Sequence, residues 1–220
     1  MGVGVSQANQ GNVGTTLITA GVTTQVSGSA GVLGVIGDTG FFTSVQDSNS
    51  NTWTQIQSEL ADATAANASR MYYAQNMTGG ASHTFTLNKV SGSFAAIFFL
   101  ELTTMLTSGV LDQSNRALDT ASPFDSPSVT TLSANEVLVA LSFADDGGTN
   151  SYVAGNSFTI QQQRADGTIS WTGAIASRPV TSTGSYNSTF TRTGAARVHS
   201  WIATFIEESA NKRLLLLGAG

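Results

Sequence analysis

Short runs rich in valine, isoleucine, phenylalanine and threonine follow one another along almost the whole chain, separated by clusters of glycine, asparagine, serine and aspartate. This alternation is typical of antiparallel sheets joined by turns. It predicts strands near residues 14–26, 31–37, 41–46, 52–58, 70–76, 83–89, 93–102, 127–132, 135–144, 157–163, 168–176, 184–192 and 197–207. Only 58–70 and 104–113 could hold a helical turn, and neither has a firm 3.6-residue period. Because crossover helices are missing, we predict an all-β protein, a two-sheet antiparallel β-sandwich.

Two of the predicted strands are apolar on both faces. The run 93–102 places Phe94, Phe98, Leu100 and Leu102 on one face and Ala95, Ile97 and Phe99 on the other. The run 197–208 repeats the pattern, with Trp201, Ala203 and Phe205 opposite Val198, Ile202 and Ile206. A strand of this kind lies in the middle of a sheet, and we expect a second layer to cover one face and a loop, helix or neighbouring subunit the other.

Charge and cysteine content restrict the function classes. Charged residues make up 10% of the chain, against about 25% in an average soluble domain. The net charge is -5 and the only lysines are Lys89 and Lys212, which argues against a nucleic-acid partner. The absence of cysteine excludes disulfides, thiolate metal sites and a cysteine nucleophile. No apolar stretch reaches the about 18 residues of a membrane helix and no secretory leader is recognisable, so we expect a soluble protein without a membrane partner.

The chain carries no clear internal repeat and no domain boundary at the level of sequence. We predict a flexible N-terminal arm at residues 1–13, one β-sandwich domain at 14–208 and an apolar C-terminal tail at 209–220. The segment 112–128 is the longest without a strand pattern, and we expect it to cross between the sheets on the surface.

Three segments carry a resemblance to a known family: 47-DSNSNTWTQI-56, 71-MYYAQNMTGGASHTFTL-87 and 128-SVTTLSANEVLVAL-141. Their order resembles a β-sandwich domain of tailed-bacteriophage virion proteins and bacterial surface proteins. In that family a D-x-x-G-N-T-W/Y hairpin precedes a YYA-N-GG hairpin, and a long apolar strand and an SVTT hairpin follow. Residues from about 15 to 207 fit this order.

The resemblance implies a jelly-roll-like sandwich and a structural or adhesive role, and it implies no catalytic residues. Ser50 stands where the family usually has glycine. We therefore expect Asn49 or Asn51 to take the left-handed conformation that the 47–51 turn needs.

The charged residues do not form a recognisable catalytic pattern. The loop 144–150 contains Asp145 and Asp146 and could bind calcium, but it lacks the bidentate glutamate of an EF-hand, so we interpret it as a polar turn. Glu207 and Glu208 are adjacent in a strand and point to opposite faces, which excludes a paired acid and base.

The two histidines, His83 and His199, are predicted to be hydrogen-bonded structural residues, since no third metal ligand accompanies them. No nucleophile elbow, P-loop or dinucleotide fingerprint occurs. We therefore predict no catalytic, cofactor-binding or metal-binding residues and no enzymatic activity. An enzyme is the third hypothesis, and it would require a hydrolytic activity that is lost on mutating Asp145 or His199.

The aromatic side chains offer an alternative, a sugar-stacking platform. Trp53 and Trp201 lie in alternating strands, where large aromatics ordinarily build the core between sheets. Trp171 follows the 166–167 turn and is the tryptophan most readily placed at the surface. Trp171 and Tyr186 are therefore the candidate ligand platform.

The last ten residues, NKRLLLLGAG, contain two cations followed by four leucines, Leu214, Leu215, Leu216 and Leu217. A fully buried leucine is worth roughly 1.5–3 kcal/mol over an exposed one, so these residues are candidates for partner binding. Two placements stay open. The run folds back as a short edge strand on its own sandwich, or it adds a strand to a groove of a neighbouring subunit.

These observations lead to one functional hypothesis and one alternative. The hypothesis is a non-enzymatic virion structural protein of a tailed phage, an accessory decoration or cement component, assembled in the host cytoplasm. Its expected partners are other virion proteins, either capsid or tail, and further copies of itself. The alternative is a glycan-binding or host-adhesion module of a phage tail or bacterial surface.

Overall fold

The computed structural model describes residues 2–11, 14–40, 42–91, 94–145, 151–164, 171–194 and 197–209, with the backbone alone for 2–11 and 171. Every regular element in these ranges is a β-strand, and all strand pairs are antiparallel. The predicted all-β, antiparallel sandwich is confirmed, although it is built from several sheets rather than the two that were expected. No helix in the described part of the chain has the length and apolar character to span a membrane.

The first eight strands form the N-terminal half of the molecule. They are β1 (Gly2–Gly11), β2 (Thr16–Ile18), β3 (Ser29–Asp38), β4 (Phe42–Asp47), β5 (Thr54–Asp62), β6 (Asn67–Met77), β7 (Phe85–Lys89) and β8 (Ala95–Thr103). One sheet has the order β1-β8-β3-β6-β5, and a smaller sheet has the order β2-β7-β4.

The remaining ten strands form the C-terminal half. They are β9 (Leu111–Asp119), β10 (Phe124–Asp125), β11 (Val129–Thr130), β12 (Glu136–Asp145), β13 (Val153–Ala154), β14 (Thr159–Arg164), β15 (Trp171–Val180), β16 (Ser185–Tyr186), β17 (Thr189–Thr191) and β18 (Val198–Ile206). The large sheet has the order β14-β15-β12-β18-β9, and two small sheets have the orders β10-β17-β13 and β11-β16.

The two halves have the same strand topology. When the β11–β16 pair is set aside, the strands of each half run first-eighth-third-sixth-fifth in the large sheet and second-seventh-fourth in the small one. The register of the paired strands agrees as well. The residues paired across the middle of the large sheet are Leu100, Val32 and Tyr73 in the N-terminal half and Ala203, Val139 and Ser177 in the C-terminal half. The fold is therefore an internal repeat, which the sequence did not reveal.

Each half is arranged as a jelly roll. A jelly roll is a long hairpin rolled into two sheets, so that the first strand pairs with the eighth, the second with the seventh and the third with the sixth. All three pairings occur in both halves. The fifth strand departs from this scheme in both halves, because it lies beside the sixth strand rather than the fourth.

Three cores separate four layers of strands. The two large sheets pack face to face through a central core that includes Phe98, Leu141 and Trp201. A second core, which includes Phe99, fills the space between the N-terminal large sheet and the β2-β7-β4 sheet. A third core, which includes Ile202, lies under the small sheets of the C-terminal half. Strands β8 and β18 are thus buried on both faces, as predicted, and the covering layers belong to the same chain.

Strand β12 is also buried on both faces. Val137, Val139, Leu141 and Phe143 share the central core, as their alternation predicts. The other face is covered as well, so that Glu136 and Ser142 have no solvent exposure.

Two segments predicted to lack strands contain strands. The 112–128 segment was expected to be strand-free, but β9 occupies Leu111–Asp119 and pairs with β18, and the short β10 occupies Phe124–Asp125. Residues 1–13 were expected to form an arm, but the backbone of Gly2–Gly11 is β1 and pairs with β8. For β1 and β9 the reason is the same: the eighth strand of each half is buried and needs a partner for the backbone groups along its edge.

The turn at residues 47–51 differs from the expectation. Ser50 itself takes the left-handed conformation, with φ of 59°, rather than Asn49 or Asn51. The Asp47 side chain fixes the turn, because its Oδ1 accepts hydrogen bonds from the backbone N–H of Asn49 at 2.8 Å and of Asn51 at 3.2 Å. The Trp53 indole donates to Oδ2 at 2.7 Å.

We expect Ser50→Gly to stabilise the protein, because glycine adopts a positive φ without the steric cost that serine pays. The free energy of unfolding should rise by about 1 kcal/mol, as measured by urea denaturation. A matched control is Ser48→Gly in the same turn, where no positive φ is found and no gain is expected. Equal gains at both positions would contradict this explanation.

Candidate functional site

The two halves are related by an approximate two-fold axis that runs along the strands. In the central core, β1 contacts β14, β8 contacts β15 and β5 contacts β9. The equivalent residues Gly34 and Leu141 meet each other, since a Cβ added to Gly34 would lie 2.6 Å from Leu141 Cδ1. Corresponding strand ends therefore lie at the same end of the molecule. The sixth strand of each half, β6 and β15, ends there at a surface pocket.

The pocket of the N-terminal half, called here the Tyr73 pocket, lies between the start of β5 and the end of β6. It has a volume of about 350 Å³ and is lined by Ser50, Asn51, Thr52, Thr54, Tyr73, Gln75 and Asn76. Thr54 pairs with Tyr73, and both continue the strand face that carries Ile56 and Met71 in the central core. The pocket is thus the solvent-exposed continuation of the interface between the two large sheets.

The pocket of the C-terminal half, called here the Tyr186 groove, has a different chemical character. It has a volume of about 360 Å³ and is lined by Arg178, Pro179, Val180, Thr181, Ser182 and Tyr186. The Arg178 guanidinium lies 4.9 Å from the centroid of the Tyr186 ring. The Tyr186 hydroxyl donates to the Ser182 carbonyl at 2.9 Å, so the ring already has partners on its face and at its tip.

The two aromatic residues predicted as one platform lie apart. Trp171 begins β15, where its backbone pairs with Asp145, whereas Tyr186 follows the far end of that ten-residue strand. A strand of this length spans about 30 Å, which is too far for one sugar to contact both residues. The platform hypothesis would therefore involve Tyr186 without Trp171.

The carboxylate of Asp47 anchors the turn that borders the Tyr73 pocket. Burial raises its pKa, but the hydrogen bonds from Asn51, Trp53 and Asn49 outweigh this effect, so that the pKa lies below its usual range. The buried His83 ring has its Nε2 at 3.5 Å from Asp47 Oδ1, and its Nδ1 lies 2.9 Å from the Thr24 hydroxyl. Asp47 and His83 thus hold the wall of the pocket from inside the second core.

His199 lies in the central core and links the two halves through a buried chain of hydrogen bonds. The Trp201 indole donates to Ser69 Oγ at 2.8 Å, Ser69 Oγ lies 2.8 Å from His199 Nδ1, and His199 Nε2 lies 2.6 Å from Asn67 Oδ1. This order assigns the ring proton to Nε2 and makes Nδ1 the acceptor. Burial lowers the pKa of His199 to about 4, so the ring is neutral at physiological pH.

Glu136 is the second buried titratable group of note, at the start of β12. Its Oε1 accepts the Ser133 N–H at 3.1 Å, and its Oε2 has no hydrogen-bond partner among the described residues. Burial raises the pKa of Glu136 to about 7, and the neighbouring Asp112 carboxylate adds to the rise. The Thr204 hydroxyl and the Ser133 amide offset part of it.

Within the described ranges, no group of three or more histidine, aspartate or glutamate side chains is placed to hold a metal ion. The loop at 144–150, interpreted from the sequence as a polar turn rather than a calcium site, has its residues 146–150 outside the described part of the chain. The candidate partner-binding residues Leu214–Leu217 also lie outside it. Both hypotheses stay predictions.

Comparison with known proteins adds no relative. No protein-family model matches this chain, and no curated protein matches it with significant sequence similarity.

Sequence reasoning did not identify the Tyr73 pocket, although the hairpin motifs pass through it. Asn51, Thr52 and Tyr73 belong to the motifs that carry the family resemblance. The sequence feature that could have identified the pocket was the pairing of the 47–56 and 71–87 hairpins, which places the start of β5 beside the end of β6.

Proposed function

We propose that this chain is a non-enzymatic structural protein of a tailed-phage virion, an accessory component that decorates or cements the particle. The main support is that both histidines lie in cores and use ring nitrogens for contacts that hold strands together. Neither histidine lines the Tyr73 pocket or the Tyr186 groove. A chain with only 10% charged residues is suited to repeated contacts with neighbouring subunits.

The repeated jelly roll adds support by analogy. Jelly rolls recur in viral capsid and lectin domains. A fold of this kind hosts many functions, so it agrees with a virion role without selecting it. The hairpin motifs resemble a domain of tailed-phage virion proteins and bacterial surface proteins, and this resemblance favours a virion role among those functions.

The proposed partners are other virion proteins and further copies of the chain. The last described residue, Ser209, follows β18 at the same end as the two pockets, where the Glu208 N–H donates to the Thr104 carbonyl at 2.9 Å. Leu214–Leu217 are the proposed anchor, because burying several leucines in a partner contributes several kcal/mol against the cost of ordering the segment.

Fractionation of particles tests the virion role. Particles purified on a density gradient from cells carrying the encoding genome are probed with an antibody to this protein and viewed by immunogold electron microscopy. We expect label on nearly every particle at regular positions. Recovery of the protein only in the particle-free fraction would overturn the proposal.

The anchor is tested separately. Changing Leu214–Leu217 to serine should abolish occupancy on particles. The matched variant Lys212→Ala/Arg213→Ala keeps the leucines and should bind as the parent does. Unchanged occupancy of the serine variant would disprove the role of the leucines and leave the virion assignment standing.

A further inference from the structure

The Tyr73 pocket combines features of a small-ligand site. We propose that it binds an uncharged saccharide, one or two sugar units in size. This inference goes beyond the structural role proposed above. It concerns Tyr73 and its neighbours rather than Trp171 and Tyr186.

The lining of the pocket selects against charged ligands. Its seven residues carry hydroxyl, amide and phenol groups, and none carries a charge. A phosphate, sulfate or sialic acid would find no cation there to replace its hydration. The Tyr186 groove, by contrast, presents the guanidinium of Arg178.

Several polar groups of the lining are available to a ligand. Among the described residues, the side chains of Thr52, Thr54, Gln75 and Asn76 are exposed and form no hydrogen bond with the protein. Together they offer hydroxyls and amides that both donate and accept hydrogen bonds. This combination matches the hydroxyl groups of a neutral sugar.

Other residues of the lining are held firmly. The Asn51 side chain donates to the Thr78 carbonyl at 2.9 Å and accepts the Thr78 N–H at 2.8 Å. The Tyr73 ring packs against Phe205 of the C-terminal half, with 6.3 Å between the ring centroids. A fixed aromatic ring beside free polar groups is the arrangement that binds the apolar face of a sugar while satisfying its hydroxyls.

The backbone is strained on both sides of the pocket. Ser50 has φ of 59° and Asn76 has φ of 48°. Non-glycine residues in this region cost about 1–3 kcal/mol and cluster at ligand sites. At Asn76 the strained backbone belongs to a residue whose amide is free for a ligand, which is consistent with a binding role.

Saturation-transfer NMR with a panel of uncharged methyl glycosides, from glucose, galactose, mannose and N-acetylglucosamine, tests the proposal, with the methyl glycoside of sialic acid as the charged probe. We expect at least one neutral glycoside to give a signal at millimolar concentration and the sialic acid glycoside to give none. Gln75→Ala and Asn76→Gly should each weaken binding about threefold to tenfold, the effect of one lost hydrogen bond. Asn76→Gly also relieves a positive φ, so it retains the fold.

Tyr186→Phe in the other groove is the matched control, and it should leave the affinity unchanged. No signal from any neutral glycoside would overturn the proposal. So would binding that is unaffected by both pocket variants, or binding that is lost in the Tyr186 variant. A preference for the sialic acid glycoside over the neutral glycosides would show that the charge argument is wrong.

Discussion

Replacing Glu136 with glutamine should stabilise the protein at pH 8 by about 2–3 kcal/mol and leave its stability at pH 4 almost unchanged. The Glu136 side chain has no solvent exposure, and its pKa is raised to about 7 by burial and by Asp112. In the unfolded chain a glutamate has a pKa of about 4.3. Between these two pKa values, ionisation of Glu136 is therefore favourable in the unfolded chain and unfavourable in the folded protein.

The sign of the pH dependence follows from proton binding. Between the unfolded and folded pKa values the native state holds the proton more tightly, so the contribution of Glu136 to stability is present in acid and is lost as the pH rises toward about 7. Glutamine is neutral at every pH, and its amide can donate to the Asp112 carboxylate. The stability difference between variant and parent should therefore grow from pH 4 to pH 8.

Urea denaturation at a series of pH values measures this difference. Glu59→Gln is the matched control, because Glu59 forms a partly exposed ion pair with Arg70 at 2.9 Å. Such pairs are worth less than about 1 kcal/mol, and the control should not show the same rise with pH. A Glu136→Gln protein that is less stable than the parent at pH 8 would contradict the explanation.

The strands that the sequence predicted are those with strong apolar patterns. Strands β3, β8, β12 and β18 bury both faces or nearly so, and their runs of large apolar residues identify them directly. The two long strands that were missed, β1 and β9, are the same strand in the two halves, and the two-residue strands β10 and β13 were missed as well. Each of the two long strands lies at the edge of a large sheet, and the sequence of β9, LDQSNRALD, is polar at most positions, which leaves little period-two signal.

The internal repeat could not be read from the sequence, because the halves share burial rather than residue identity. Along β3 and β12, aligned through their registers, only Val32 with Val139 and Asp38 with Asp145 match. Along β8 and β18 no aligned pair matches. Different side chains can fill a core when their total volume and pattern are kept. The two halves therefore share their strand topology although their amino-acid sequences differ.

The candidate site was less predictable than the fold for a related reason. Apart from Tyr73, the residues of the Tyr73 pocket are serine, threonine, asparagine and glutamine, which are abundant throughout this chain. Only the pairing of β5 with β6, and the end of the central core beside them, brings these particular residues together. The structural role of both histidines, in contrast, was predictable, since His199 lies in an apolar strand, His83 precedes β7 by two residues, and no third metal ligand accompanies them.

Replacing His199 with alanine should destabilise the protein by roughly 3 kcal/mol at pH 7. The change removes a buried ring from the central core and leaves Asn67 Oδ1 and the Ser69 hydroxyl without their partner. The two groups belong to the N-terminal half and His199 to the C-terminal half, so the loss weakens the contact between the halves. Urea denaturation of parent and variant at pH 7 measures it.

Ser69→Ala provides the matched test of the hydrogen-bond chain. It leaves His199 Nδ1 and the Trp201 indole unpaired and should itself destabilise the protein by about 2 kcal/mol. In the double variant the two losses should not add, because the same interaction is removed twice. If the two losses of stability add fully, the His199 ring stabilises the protein only through the volume that it fills and not through its hydrogen bond to Ser69.

The change in stability at acidic pH gives an independent measure of the role of His199. The pKa of His199 is lowered to about 4, so its contribution to stability is complete above pH 6.5 and is lost as the pH falls toward about 4. In the parent protein Glu136 changes stability in the opposite direction over much of this range and hides the effect. The Glu136→Gln protein should therefore lose about 3 kcal/mol between pH 6.5 and pH 4, and adding His199→Ala should remove most of that slope. If the slope persists without the imidazole, the acid sensitivity belongs to another group and the neutral, buried state assigned to His199 is wrong.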